Sequence, residues 1–126
     1  MIRKDYILRY FDELAKVLAT VLQLKNDLKS TEAEAKLNDF ATNYLGISFE
    51  EILAIDTNIL INYLIKNKEF TIIHFKILED LLYHKYLINS SDDNLKRTTL
   101  EVLKYASEND TDYSVERISR IEELTQ

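Results

Sequence analysis

The sequence predicts an all-α fold, a single helical domain over residues 1–126 made of about seven helices arranged as successive antiparallel helical hairpins. Three observations predict it. Gly46 is the sole glycine and proline is absent, so the tight turns that join β-strands have almost no residues to form them. Apolar residues recur every three or four positions over long stretches, the spacing of one helix face. Between those stretches stand Ser, Thr, Asp and Asn, whose side chains accept hydrogen bonds from the orphan amides of a helix start.

Composition bounds the class. With 46% hydrophobic and 30% charged residues among 126, the chain carries enough apolar surface for one core and too much charge for a membrane span. No apolar run approaches about 18 residues. The start, Met1, Ile2, Arg3 and Lys4, leads into acidic Asp5 and an amphipathic segment instead of a signal-peptide hydrophobic region, so the expected location is the cytoplasm. The lack of cysteine excludes disulfides, thiol catalysis and thiolate metal ligands. A net charge of −6 repels phosphate backbones and anionic lipids, and the basic residues are scattered as Lys25 and Lys29, Lys66 and Lys68, Lys96 and Arg97. Neither nucleic acid nor membrane is an expected partner.

The first helix is predicted from Asp5 to Leu28. Ile7, Phe11, Leu14, Leu18, Val21 and Leu28 form its apolar series, widened by Tyr10, Val17 and Leu24, with charged residues on the other side. The second starts at a capping box, Thr31 to Glu34, buries Leu37, Phe40, Ala41 and Tyr44, and stops at Gly46, where a helix end favours a residue of positive φ. A third, short helix starts at the capping box Ser48 to Glu51, with Ile47 and Ile52 placed as a hydrophobic staple.

Asp56, Thr57 and Asn58 are weak helix formers and good caps, so a break there precedes a fourth helix from about Asn58 to Lys66. Ile59 to Ile65 and Phe70 to Phe75 are rich in β-branched and aromatic residues and admit a hairpin reading. Helix is preferred, because no third strand exists to pair with such a hairpin. The fifth helix begins near Thr71, with Phe70 and Phe75 as a staple, and runs to about Ile88. After a loop at 89–94, the sixth carries Leu95, Thr99, Val102, Leu103 and Ala106. The seventh begins near Ser114 with Val115, Ile118, Ile121 and Leu124 as its apolar face.

Catalytic motifs are scarce. One glycine excludes ordinary phosphate-binding loops, dinucleotide turns and serine-nucleophile elbows. His74 and His84, ten residues apart on one helix, face different directions, so no metal is expected. Asp110, Asp112, Ser114 and Glu116 alternate like the start of a calcium loop, but Val115 stands where glycine is needed and Ile121 where the bidentate Glu belongs. Capping by Asp112 or Ser114 is the preferred role. The pairs Asp12 with Glu13, Glu50 with Glu51, and Asp92 with Asp93 suit helix starts better than acid–base catalysis. No cofactor and no catalytic residue is assigned.

The opening Asp5, Tyr6, Ile7, Leu8, Arg9, followed by Glu13, Leu14, Ala15, Lys16, Val17, Leu18, Ala19, and the later Leu45, Gly46, Ile47, resemble an uncharacterised bacterial all-helical family. That family is a domain of unknown function loosely similar to tetratricopeptide-like helical hairpins. The resemblance covers the first 55 residues best and implies a fold without an activity. No 34-residue period repeats along the chain, and the second half lacks the small residues that let such repeats stack.

Two functions are compatible with this sequence. One is a protein-interaction or assembly module. The other is a small-molecule-binding or metal-dependent helical enzyme whose site, assembled without a motif, would draw on His74, His84 and the tyrosines. The first is favoured. Its candidate interface is Tyr6, Tyr10, Leu14, Val17 and Val21 on the first helix, whose face is wider than one neighbour covers. Ile7, Leu14, Val21 and Leu28 in heptad register offer a homodimer seam, interrupted by Lys25. A protein partner or a second copy is therefore the expected binding partner.

Overall fold

The computed structural model describes residues 4–126, with side chains from residue 9 onward. Among the described residues there are seven α-helices and no strand: α1 (Lys4–Asn26), α2 (Ser30–Phe40), α3 (Phe49–Ala54), α4 (Thr57–Lys68), α5 (Ile72–Ile88), α6 (Asp93–Asn109) and α7 (Val115–Thr125). The hairpin reading of Ile59 to Phe75 fails, since α4 and α5 occupy that stretch. None of these helices is long and apolar enough to cross a membrane. Contacts divide the chain into two compact units, Met1–Phe49 and Glu50–Gln126.

In the first unit α1 packs on α2 across a three-residue reversal. The Lys29 amide donates to the Leu24 carbonyl at 2.8 Å and the Leu28 amide to the Lys25 carbonyl at 3.1 Å, the paired bonds of a Schellman end. Leu28 takes the left-handed conformation, φ 62, and is 91% exposed. The sequence reading placed Leu28 inside α1 on its apolar face. So short a reversal instead demands a left-handed residue there, at a cost of roughly 1–2 kcal/mol for a side chain with a Cβ. The same reversal moves the start of α2. Lys29 becomes its N-cap without a side-chain cap bond, and Thr31 lies in the first turn instead of capping it.

Leu14, Val21, Ala33, Leu37, Phe40 and Ala41 are buried, whereas Phe11, Val17 and Leu18 are only half-buried. α2 then widens into a π-helical turn, Ala41–Leu45. Within this segment Tyr44 stacks on Phe40 at 4.3 Å between ring centres, and Tyr10 meets Tyr44 edge-on at 5.2 Å. Gly46 closes the turn with φ 69, and a Cβ there would meet nothing within 4 Å. Its backbone angle, not space, calls for glycine.

In the second unit the caps do most of the punctuation. The Asp56 carboxylate accepts the Asn58 amide at 2.8 Å, Asp92 accepts that of Leu95 at 3.0 Å, and Ser114 accepts that of Arg117 at 3.1 Å. α4 ends on Glu69, φ 55, whose amide and that of Phe70 both donate to the Leu64 carbonyl. Phe70 and Phe75 meet edge-on at 5.3 Å around the start of α5, as the staple reading expects. α6 is the centre of this unit and packs against α4, α5 and α7. Leu95, Thr99, Val102, Leu103 and Ala106 are buried on it. On α7, Val115 is 70% exposed and Arg117 is buried, so the helix presents a charge where an apolar face was read.

Candidate functional site

The candidate interface on α1 is mostly enclosed. Leu14 and Val21 are 3% and 2% exposed. Val17 is half-buried, Tyr10 is half-buried against Tyr44, and the side chain of Tyr6 lies outside the described residues. The four described residues of this set do not form an open patch. Among the described residues of α1, Leu22 is an exposed large apolar side chain, at 48%.

His74 is a cap. It sits at the third position of α5, where Glu or Gln usually completes a capping box. Its Nδ1 accepts the Thr71 amide at 2.9 Å and lies 3.0 Å from the Thr71 hydroxyl, while its ring stacks on Phe70 at 5.1 Å. An accepting Nδ1 places the ring proton on Nε2. Burial lowers the pKa of this histidine. His84 lies ten residues on, edge-on to Tyr83 at 5.8 Å. Among the described residues no three His, Cys, Asp or Glu side chains converge as metal ligands.

The acidic run at 110–116 has its own cation. Lys76 Nζ stands 3.4 Å from Asp110 and 3.5 Å from Asp112, so a lysine ammonium supplies the charge that these carboxylates attract. Arg117 grips both Glu79 oxygens through Nε and Nη2 at 2.8 to 3.1 Å and reaches Asp110 at 3.2 Å. Glu79, Asp110 and Arg117 side chains are all less than one-tenth exposed. Burial pushes the Glu79 carboxyl up, although Arg117 opposes it. Burial acts the same way on Asp110, but the Asp112 amide, Lys76 and Arg117 together hold it below the usual carboxylate range. Hydrogen bonding to Glu79 raises Arg117 further above its ordinary value.

A second rung follows one turn on. Arg120 bonds Asp80 at 2.6 Å and Glu116 at 2.8 Å and lies 4.2 Å over the Tyr83 ring, whose hydroxyl donates to Glu123 at 2.8 Å. These rungs bridge α5 and α7 by long side chains. A cleft of about 230 Å³ opens beside them, lined by Asp110, Asp112, Tyr113, Ser114 and Arg117. Its cation and both carboxylates are matched, which suits a fastening. The sequence reading missed Arg117 and Glu79. The available signal was weak: Glu79 shares the stretch from Phe75 to Leu82 with Lys76 and Asp80, and only its place on the apolar side of α5, beside Phe75, Leu78 and Leu82, marks it as a charge that needs a buried partner.

The other opening of this unit differs. A groove of about 370 Å³ lies between α4, contributing Thr57, Asn58, Ile61 and Asn62, and α6, contributing Glu101, Lys104, Tyr105 and Glu108. Each set follows the i, i+3, i+4 spacing of one helix face. The Tyr105 ring rests on Phe75 at 4.5 Å, which fixes it as a wall. Among the described residues, the side-chain polar atoms lining this groove have no hydrogen-bond or ion-pair partner. Comparison of the chain with protein-family models, curated proteins and solved structures found no match.

Proposed function

We propose that this chain is a protein-interaction or assembly module, and that its partner-binding surface lies on α4. The carrying observation is that α4 is apolar on more than one side. Leu60 and Leu64 are buried, while Ile59 and Ile65 are left 58% and 38% exposed on the same helix. The Ile59 and Ile65 side chains are apolar surface that an assembly contact would cover. Leu14 and Val21 are already used by the chain itself, so the surface moves from α1 to α4.

The test is affinity capture with the full chain as bait, wild type against an Ile59→Glu, Ile65→Glu double variant, read by mass spectrometry, with light scattering of the purified chain alongside. The module reading expects a partner, or a second copy, that is kept by wild type and lost by the double variant while its helical circular dichroism is unchanged. Equal capture by both, or capture of nothing together with a monomer at tens of micromolar, overturns it.

A further inference from the structure

We infer that the α4–α6 groove is the seat of a cationic amphipathic helix from a partner protein; this rests on the interaction-module reading and names the partner's chemistry. Two ridges of helical spacing face one another across the groove, which is the geometry that receives a third helix. Ile61 and Tyr105 stand on opposite walls. An aliphatic side chain inserted between them would meet an aromatic face already held by Phe75.

Charge sets the sign of the partner. Glu101 and Glu108 lie two turns apart on α6, about 10 Å along its axis, with Lys104 between them, and none of the three has an ion-pair partner among the described residues. In the 107–118 cleft of the same unit, by contrast, Lys76, Glu79, Asp110 and Arg117 neutralise one another. The fitting occupant is a helix with basic residues seven apart and an aliphatic residue midway. Asn58 and Asn62 on the facing wall offer amides to its polar flank.

A second copy of this chain fits less well. It would bring another net charge of −6. Arg9 with Lys16 and Lys29 with Lys36 are seven apart but have acids or alanine midway, and the one such pair with an aliphatic residue between, Arg97 and Lys104 around Leu100 on α6, includes Lys104, which is itself a wall of the groove.

The experiment titrates the full ¹⁵N-labelled chain with a synthetic alanine-based helical peptide carrying two lysines seven apart and one leucine midway. The same peptide with glutamates for lysines is the control. The inference expects amide shifts concentrated at 57–62 and 101–108, none with the glutamate peptide, and an affinity about five-fold weaker for the Glu101→Gln, Glu108→Gln variant. Absence of binding, equal response to the glutamate peptide, or shifts confined to other residues overturns it. The module reading is separable: a captured partner lost on Ile59→Glu, Ile65→Glu, combined with a silent groove, leaves that reading standing and removes this one.

Discussion

Two openings of the second unit, the cleft beside α7 and the groove between α4 and α6, share α6 as a near neighbour and use charge in opposite ways. Beside α7, acids and bases are drawn inside and matched, with Arg117 held by Glu79 and Asp110 at hydrogen-bond distance. Between α4 and α6, charges of both signs stand around a wider groove with no ion-pair partner among the described residues. Desolvating an ion costs several kcal/mol, so a buried charge persists only where its partner is built in. The contrast teaches that the cleft at 107–118 serves the fold, whereas the groove at 57–108 has interactions left to give.

The largest effect should come from breaking the matched set. Arg117→Met strips Glu79 and Asp110 of their shared cation and is expected to cost about 3–5 kcal/mol in urea unfolding at pH 7. The loss should shrink as the pH falls, because Glu79, already pushed up by burial, then takes up a proton and ceases to be a buried charge. Phe40→Ala in the first unit should cost a similar amount, about 3–5 kcal/mol, with no such pH dependence. A cost below about 1 kcal/mol for Arg117→Met would show that the cluster fastens nothing.

A smaller and opposite effect is expected at Thr98, fully buried on α6 with its hydroxyl unpartnered. Thr98→Val keeps the shape and removes the orphan, so it should raise stability by about 1 kcal/mol. A loss of stability instead would mean the hydroxyl has a partner in solution, such as a bridging water.

The smallest effect is a pH step. His74 has its pKa lowered on folding by burial, so the neutral ring contributes stability above the ordinary histidine value, and that contribution is lost as the pH falls through the folded value. His74→Gln keeps an acceptor at the third helical position and should remove the step. Wild type should therefore lose more stability than His74→Gln between about pH 7 and pH 5. Parallel curves for the two would contradict the capping role. Asp110 has the same sign, but its loss begins only below the usual carboxylate range, outside this window.

The sequence made local features legible and long-range ones obscure. The α4, α6 and α7 starts at Asp56, Asp92 and Ser114 and the Gly46 stop are each decided by one residue's side chain or backbone, and reading them needed no neighbour. Leu28 and Thr31 were misread because the α1–α2 reversal, a tertiary contact, overrides the apolar period and the capping signature at those positions. Arg117 and Val115 were misread because a buried arginine depends on Glu79, 38 residues away in the chain, and side-chain pairing across helices leaves no local pattern. A wide apolar face on α1 likewise identifies residues that want cover without saying that the chain already covers Leu14 and Val21. The groove was invisible for the converse reason, since Glu101, Lys104 and Glu108 read as an ordinary solvated face until α4 is set beside them.

The account stands on a separation between charges that hold the fold and charges that await a partner, and one paired measurement tests it. Urea unfolding and titration with the lysine-bearing helical peptide are run on the same two variants, Glu79→Gln and the Glu101→Gln, Glu108→Gln double. The expected result is a crossing. Glu79→Gln loses about 3–5 kcal/mol of stability and, where still folded, keeps its peptide affinity. The double variant stays within about 0.5 kcal/mol of wild type and binds the peptide about five-fold more weakly. Stability and affinity falling together in either variant, or unchanged in both, would contradict the account.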